Sequence, residues 1–241
     1  MGPRGACRTL DVKSRDQLLT LIAIALTFGS GANDVAAFTR LGGVFTSVMT
    51  GNIVFFGLAV GERSVSLASH TAVSVAGYIV GVAVATWVSH GVRKRSSSTG
   101  GSVLPGHVRW ALFAELVLLA GGAVGWEITG ARPHGGAEFA LLAVAAAAMG
   151  MQSAAVSEMG FSNFSTTFLT GTLTWLVSSV VRPGEDASDW PRRVSALIAL
   201  AAGACLSGFL VANADRFVPV LALAGVGTGL VLSIRAARED D

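Results

Sequence analysis

Two short stretches of the chain decide its fold: T-S-V-M-T-G at residues 46–51 and T-T-F-L-T-G at residues 166–171. Both follow the pattern T-x-x-x-T-G, and each begins an apolar stretch, residues 46–60 and 166–181. A membrane-spanning helix needs about 20 apolar residues to cross a hydrocarbon core about 30 Å thick. Both stretches are shorter than that. They are interpreted as re-entrant segments or half-helices, although eight spans result if both cross the membrane.

The composition of the chain indicates a membrane protein. Hydrophobic residues make up 52% of the chain and charged residues 13%, and the mean hydropathy is +0.63. Ordinary soluble domains carry about 25% charged residues, so a typical soluble enzyme is excluded. A disordered chain and a disulfide scaffold are excluded too, the latter because there are only two cysteines. A net charge of +2 gives no support for a nucleic-acid partner.

Six longer apolar runs are predicted to span the lipid bilayer as helices. They are residues 17–38, 71–92, 108–126, 139–156, 194–212 and 217–234. With six spans and a cytoplasmic N-terminus, the lysine and arginine residues lie on the cytoplasmic side of the membrane except for Arg40, Arg63, Arg132 and Arg216. The positive-inside rule therefore favours six spans, with both termini in the cytoplasm, over eight.

The chain is predicted to form a single all-α, polytopic membrane domain built from two repeated halves. The first repeat covers residues 17–128 and the second residues 137–234, with cytoplasmic tails at 1–16 and 235–241. Three full spans per half would make the repeats inverted, whereas four would make them parallel. Inverted repeats with interrupted helices form the central binding sites of many transporters. The two T-x-x-x-T-G segments are accordingly expected to face the protein interior.

Several of these strings together resemble a known family. They are G-A-N-D at 31–34, L-G-G-V-F-T at 41–46, M-T-G-N at 49–52 and M-G-M-Q at 149–152, with the second T-x-x-x-T-G. The chain resembles the YoaK-like family of small bacterial membrane proteins of unknown function, over nearly its whole length. The resemblance implies a protein of the bacterial cytoplasmic (inner) membrane. It implies no activity and no substrate.

Two carboxyl groups in the predicted spans are candidates for proton coupling. An ionisable group within a span costs on the order of 2.5 to 3.5 kcal/mol, so it is a functional candidate by default. Asp34 follows Asn33 and a Gly-Ser-Gly run. It is either a proton or cation site, or a residue that caps or ends the first helix near the interface. Glu115 either lines the same cavity or is a structural glutamate near the cytoplasmic end.

The predicted substrate site combines the two Thr-Gly motifs with neighbouring polar residues. A threonine at a helix start can cap free N–H groups that also attract anions. Gln152 can bond across helices. The alternative is that each Thr-Gly pair merely allows close helix packing. The predicted site residues are Asn33, Asp34, Thr46, Thr50, Gly51, Asn52, Gln152, Thr166, Thr170 and Gly171.

The function predicted from these features is a small-solute permease or secondary transporter, coupled to protons through Asp34. The alternative is a non-transporting membrane module that binds or assembles with a partner protein. No nucleophile elbow, phosphate loop, dinucleotide fingerprint or zinc spacing occurs, so we expect no enzyme, cofactor or metal. A homodimer is predicted through small-residue faces, either Gly77 with Gly81 or Gly225 with Gly229.

Overall fold

A computed structural model describes residues 12–95, 106–159, 169–181 and 190–239, and these residues are helical apart from short connections. The helices are rich in apolar residues, and helices satisfy every backbone hydrogen bond within the segment, as a bilayer requires. Their bounds are α1 (Val12–Arg40), α2 (Met49–Gly61), α3 (Val65–Arg95), α4 (Gly106–Ile128), α5 (Gly136–Glu158), α6 (Leu169–Val181), α7 (Trp190–Asn213) and α8 (Val218–Glu239).

Six of these helices, α1, α3, α4, α5, α7 and α8, are long and apolar enough to cross a membrane. Five of them contain a predicted span, and α8 contains the sixth except for its first residue, Phe217, so this part of the prediction is confirmed. The short helices α2 and α6 have 13 residues each. At 1.5 Å per residue, α2 is about 20 Å long, which is too short to span the hydrocarbon core, and the described part of α6 has the same length. The eight-span alternative is therefore not supported by α2.

The directions of the long helices follow from contacts near their ends. Helices α1 and α7 run parallel, because Arg192 at the start of α7 donates to Thr20 at 2.8 Å, and Arg40 at the end of α1 donates to the Val211 carbonyl at 3.2 Å. Helix α8 is antiparallel to α1, since Gly225 faces Ala25 and Gly29.

The remaining long helices complete the same scheme. Helices α3 and α5 run parallel, with His70 beside Glu138 near their starts. Helix α4 is antiparallel to α5 and to α8, and α5 therefore runs opposite to α1. Helix α1 packs mainly on α7 and α8, and α5 mainly on α3 and α4. The first helix of each half thus packs on the last two long helices of the other half. The repeat itself stays a prediction.

The predicted dimer faces lie between helices of one chain. A Cβ at Gly77 or Gly81 would overlap the backbone of α5, and a Cβ at Gly225 would overlap that of α1. Gly229 faces the side chains of Leu26 and Ile22 on α1. These glycines are used for close packing within the monomer, so the proposed dimer faces were wrong. Whether the chain forms a dimer by another surface stays a prediction.

The bundle has two chemically different ends. The loop end carries the connections 41–48, 62–64, 129–135 and 214–217. The opposite end, here called the basic end, carries Arg109, Arg192 and Arg193 at the starts of α4 and α7. A hydrophobic core formed by α1, α4, α5 and α8 lies between the two ends.

Candidate functional site

The first Thr-Gly motif lies on a segment that turns back into the bundle from the loop end. Helix α1 ends at Arg40, and the turn uses Gly42 and Gly43, whose φ values of +87° and +74° lie in the left-handed region that favours glycine. Helix α2 then runs back toward the loop end, antiparallel to α3. The segment 41–61 is therefore a re-entrant loop and half-helix, as one of the two sequence interpretations predicts.

Asp34 attaches this re-entrant loop to α1. Its Oδ1 accepts hydrogen bonds from the backbone N–H groups of Thr46 and Ser47, both at 2.8 Å, and from the Thr46 hydroxyl at 2.9 Å. Its Oδ2 accepts a short hydrogen bond from the Ser47 hydroxyl. Asn33 adds a bond to the Thr46 hydroxyl at 3.1 Å. Four hydrogen bonds to the carboxyl oxygens, two of them from backbone N–H groups that can only donate, suit an ionised carboxylate.

Asn52 attaches the same loop to α2 and α3. Its Oδ1 accepts from the Phe45 N–H at 2.9 Å, and its Nδ2 donates to the Phe45 carbonyl at 2.7 Å and to the Ser74 hydroxyl at 3.0 Å. Ser74 in turn donates to the Phe45 carbonyl. Because Asn52 and Ser74 are fully buried, these bonds replace water as partners for polar groups at this depth.

The structure brings four of the predicted residues together in this region: Asn33, Asp34, Thr46 and Asn52. It adds two that sequence reasoning missed, Ser47 and Ser74. The signal for Ser47 was present, because it lies inside the first T-x-x-x-T-G motif. Ser74 lies on α3 with no local pattern that marks it, and only the packing of α2 on α3 shows its role.

Two details of the first motif differ from expectation. The residue before α2 is Val48, which makes no side-chain capping bond, and the Thr46 hydroxyl bonds to Asp34 instead. The capping role predicted for Thr46 was wrong, because its hydroxyl donates to Asp34 and accepts from the Asn33 amide instead of accepting from a free N–H of α2. Thr50 is exposed, and Gly51 is half-buried beside the Phe45 ring.

The second Thr-Gly motif does not mirror these contacts within the described residues. Thr166 lies outside the described residues, and Thr170 and Gly171 lie in the first turn of α6. Each short helix packs mainly on the long helix that follows it, α2 on α3 and α6 on α7. Helix α2 leads into α3 at the loop end, while α6 precedes α7, which starts at the basic end. The described residues therefore do not show the two motifs meeting.

Glu115 lies near the middle of α4 and is fully buried. Neither carboxyl oxygen has a hydrogen-bond partner among the residues that the structure describes. Its neighbours along α4, Ala111, Leu112 and Leu119, belong to the hydrophobic core. This environment is the opposite of that of Asp34.

Gln152 on α5 is fully buried too, in a contact with α1. Its Nε2 donates to the Ser30 hydroxyl at 2.8 Å and to the Leu26 carbonyl at 3.3 Å. Its Oε1 has no hydrogen-bond partner in the described part of the chain. Gln152 is therefore separated from the Asp34 cluster, and it links two membrane-spanning helices of different halves.

A small cavity lies between α1, α4, α5 and α8. Its volume is about 50 Å³, and its lining includes Asn33, Leu119, Trp126, Ala145 and Ala222. One water molecule needs roughly 10–15 Å³ of space open to its centre, so a cavity of this volume has room for a few water molecules. It is too small for a metabolite.

Comparison with known proteins gives the family of the chain. Residues 22–234 match the family described as "Protein of unknown function (DUF1275)". The chain is 30% identical over 167 residues to the UPF0700 transmembrane protein YoaK of Bacillus subtilis (strain 168), covering 69% of this chain and 67% of that protein. No solved structure matches the chain. The family match spans all six membrane-crossing helices, and the chain is accordingly a member of the DUF1275 family of membrane proteins.

Proposed function

We propose that this protein is a small-solute secondary transporter of the bacterial cytoplasmic membrane that is coupled to protons. One observation carries the proposal: Glu115 is 0% exposed in a membrane-spanning helix, with no hydrogen-bond partner for either oxygen in the described residues. A membrane protein keeps such a costly group when the group has a task, and proton transfer is a common one.

Of the two candidate carboxyl groups, Glu115 suits proton coupling better than Asp34. A coupling group must change its charge during the cycle. Asp34 already has four donors that favour one charge state, and losing that charge would weaken the attachment of the loop. Glu115 has no such donors. We therefore assign coupling to Glu115, and assign to Asp34 the task of holding the re-entrant loop at membrane depth.

Transport also requires a conformational change. The cavity of about 50 Å³ has room for a few water molecules but not for a solute, so the helices around it must separate to bind one. In transporters with interrupted helices, one group of helices rocks against the other around a central site. The re-entrant segment 41–61 is an interrupted element of this kind, next to Asn33 on the cavity wall.

The proposal is tested with purified protein in liposomes that contain a trapped pH-sensitive dye. Amino acids, sugars and organic acids are added outside, one at a time. We expect at least one of them to acidify the lumen in the wild type but not in Glu115→Gln. Glu127→Gln is the matched control, because Glu127 lies on the same helix and is exposed. If no solute moves protons into liposomes that hold folded protein, the transporter proposal is wrong.

A non-transporting module that binds a partner is the second candidate. It is favoured by an apolar groove of about 550 Å³ on the surface between α1, α7 and α8, whose lining includes Phe28, Ile198 and Thr228. This candidate predicts folded protein without any flux. It also predicts that filling the groove with Thr228→Trp reduces the mass of the complex extracted from membranes, measured by native mass spectrometry.

A further inference from the structure

Glu115 and Gln152 lie at the same level of the bundle on neighbouring helices. Helices α4 and α5 run antiparallel, and Gly122 on α4 faces Val144 on α5. Glu115 is seven residues before Gly122, and Gln152 is eight residues after Val144. Their levels therefore differ by about one residue, or about 1.5 Å along the helix axes. Both side chains are fully buried.

Three buried oxygen atoms at this level lack a hydrogen-bond donor in the described residues. Both nitrogen-bound donors of Gln152 are directed at α1, toward Ser30 and the Leu26 carbonyl. Because a carbonyl can only accept, the amide cannot be turned the other way round. Gln152 Oε1 and both oxygens of Glu115 are then three buried acceptors without a donor in the described residues. Buried acceptors of this kind are rare and need an explanation.

One proton on Glu115 supplies the missing donor. A protonated carboxyl group has one O–H donor, and Gln152 Oε1 is an acceptor at the same level. Protonation also removes the cost of an unpaired charge in an apolar environment. Without a proton, the same level of the bundle would hold an unpaired carboxylate and an unpaired amide oxygen, and neither could satisfy the other.

The charged groups on the packed helices lie toward the helix ends in the described residues. They include Asp16, Asp34 and Arg40 on α1, His70 and His90 on α3, His107, Arg109 and Glu127 on α4, Glu138 and Glu158 on α5, Arg192 and Arg193 on α7 and Arg235 on α8. Tyr78 on α3 packs on the core opposite Gly150, but its hydroxyl makes no hydrogen bond to the Glu115 oxygens or to Gln152 Oε1.

The cavity between α1, α4, α5 and α8 gives this site a route to one side of the membrane. Leu119, on its lining, is one turn from Glu115, and Asn33 and Leu41 line it toward the loop end. Its volume of about 50 Å³ has room for a few water molecules, which can pass a proton. Toward the basic end, His107 pairs with Glu158 two turns beyond Glu115.

We propose that Glu115 and Gln152 together bind one exchangeable proton at the centre of the bundle, and that this proton enters from the loop end through the cavity. A hydronium ion in the cavity gives its proton to a Glu115 oxygen and leaves as water, and the new O–H donates to Gln152 Oε1. Release reverses the step. As the coupling site of a transporter, this inference rests on the proposed function; as a proton site, it stands without it.

Infrared difference spectroscopy of the full protein in lipid, between alkaline and acidic pH, tests the site directly. We expect a carbonyl-stretch band from a protonated carboxyl group that is lost in Glu115→Gln and kept in Glu127→Gln. Gln152→Met keeps the volume but removes the acceptor, so the band should shift to higher frequency. Size-exclusion profiles and melting temperatures verify that each variant is folded.

Three results would overturn the inference: no band in the wild type, an unchanged band in Glu115→Gln, or the same frequency in folded Gln152→Met. Displacement of the band by sodium chloride would overturn it as well, because the ligand would then be a metal cation.

The route is tested with Ala123→Leu, which fills the cavity and should slow exchange of the band in heavy water without removing it. An unchanged exchange rate contradicts the route. If the band behaves as expected while no solute moves protons, only the transporter proposal fails.

Discussion

Asp34 and Glu115 are both buried carboxyl groups on membrane-spanning helices, yet their surroundings are opposite. Asp34 lies six residues before the end of α1, where the following loop returns and supplies four donors. Glu115 lies far from any loop, where helix backbones offer no free N–H groups, and no described side chain bonds to it. A polar group near a loop can be satisfied by its own local chain. One in the middle of a helix needs a neighbouring helix or a proton.

Removing the Asp34 carboxylate should give the largest effect. Asp34→Ala leaves two backbone N–H groups and two hydroxyls without their acceptor, so the free energy of unfolding should fall by about 3 kcal/mol or more. Denaturant unfolding in detergent micelles measures this change. Asp34→Asn keeps one oxygen acceptor at the same place, so its free energy of unfolding should fall by less than that of Asp34→Ala. A value for Asp34→Ala within about 0.5 kcal/mol of the wild type would contradict the anchoring role.

Asn52→Ala should have the next largest effect. It removes three hydrogen bonds that join the loop, α2 and α3, and it leaves the Phe45 N–H without its acceptor, while the Phe45 carbonyl keeps its bond from Ser74. A loss of about 2 kcal/mol is expected in the same unfolding measurement. Thr50→Ala is the matched control, because Thr50 is exposed on the same helix, and its change should stay within about 0.5 kcal/mol. Equal losses in both variants would show that Asn52 has no special role.

Glu115→Gln should have the smallest effect on stability. If Glu115 is neutral and donates to Gln152, the glutamine amide replaces it with a donor of the same shape, and stability should change by less than about 1 kcal/mol. Proton-coupled flux should nevertheless be lost. A loss of stability as large as that of Asp34→Ala would place Glu115 among the structural carboxylates and remove the contrast between the two groups.

Much of the fold was predictable from the sequence because it depends on lengths and local composition. All six spans were predicted, and the two Thr-Gly stretches were interpreted as short segments, with six spans favoured over eight. The link between Asp34 and Thr46 was partly predictable too, since only 12 residues separate them. These features need no knowledge of which helices are neighbours.

The site was less predictable where distant segments meet. The dimer faces at Gly77 and Gly225 were wrong because small residues serve close packing within a chain as readily as between chains. The expectation that the two Thr-Gly motifs converge required knowledge of which long helix each short helix packs on. That Glu115 and Gln152 lie at the same height in the bundle could be found only from the way α4 and α5 pack against each other.

That this chain lies in a membrane and which long segments cross it follow from the amino-acid sequence alone, because hydrophobic length acts locally. Which polar groups are satisfied follows from the packing of the helices. Asp34 found four donors and Glu115 none, because partners at membrane depth come from whichever helix or loop happens to pack there, and packing is a property of the whole bundle.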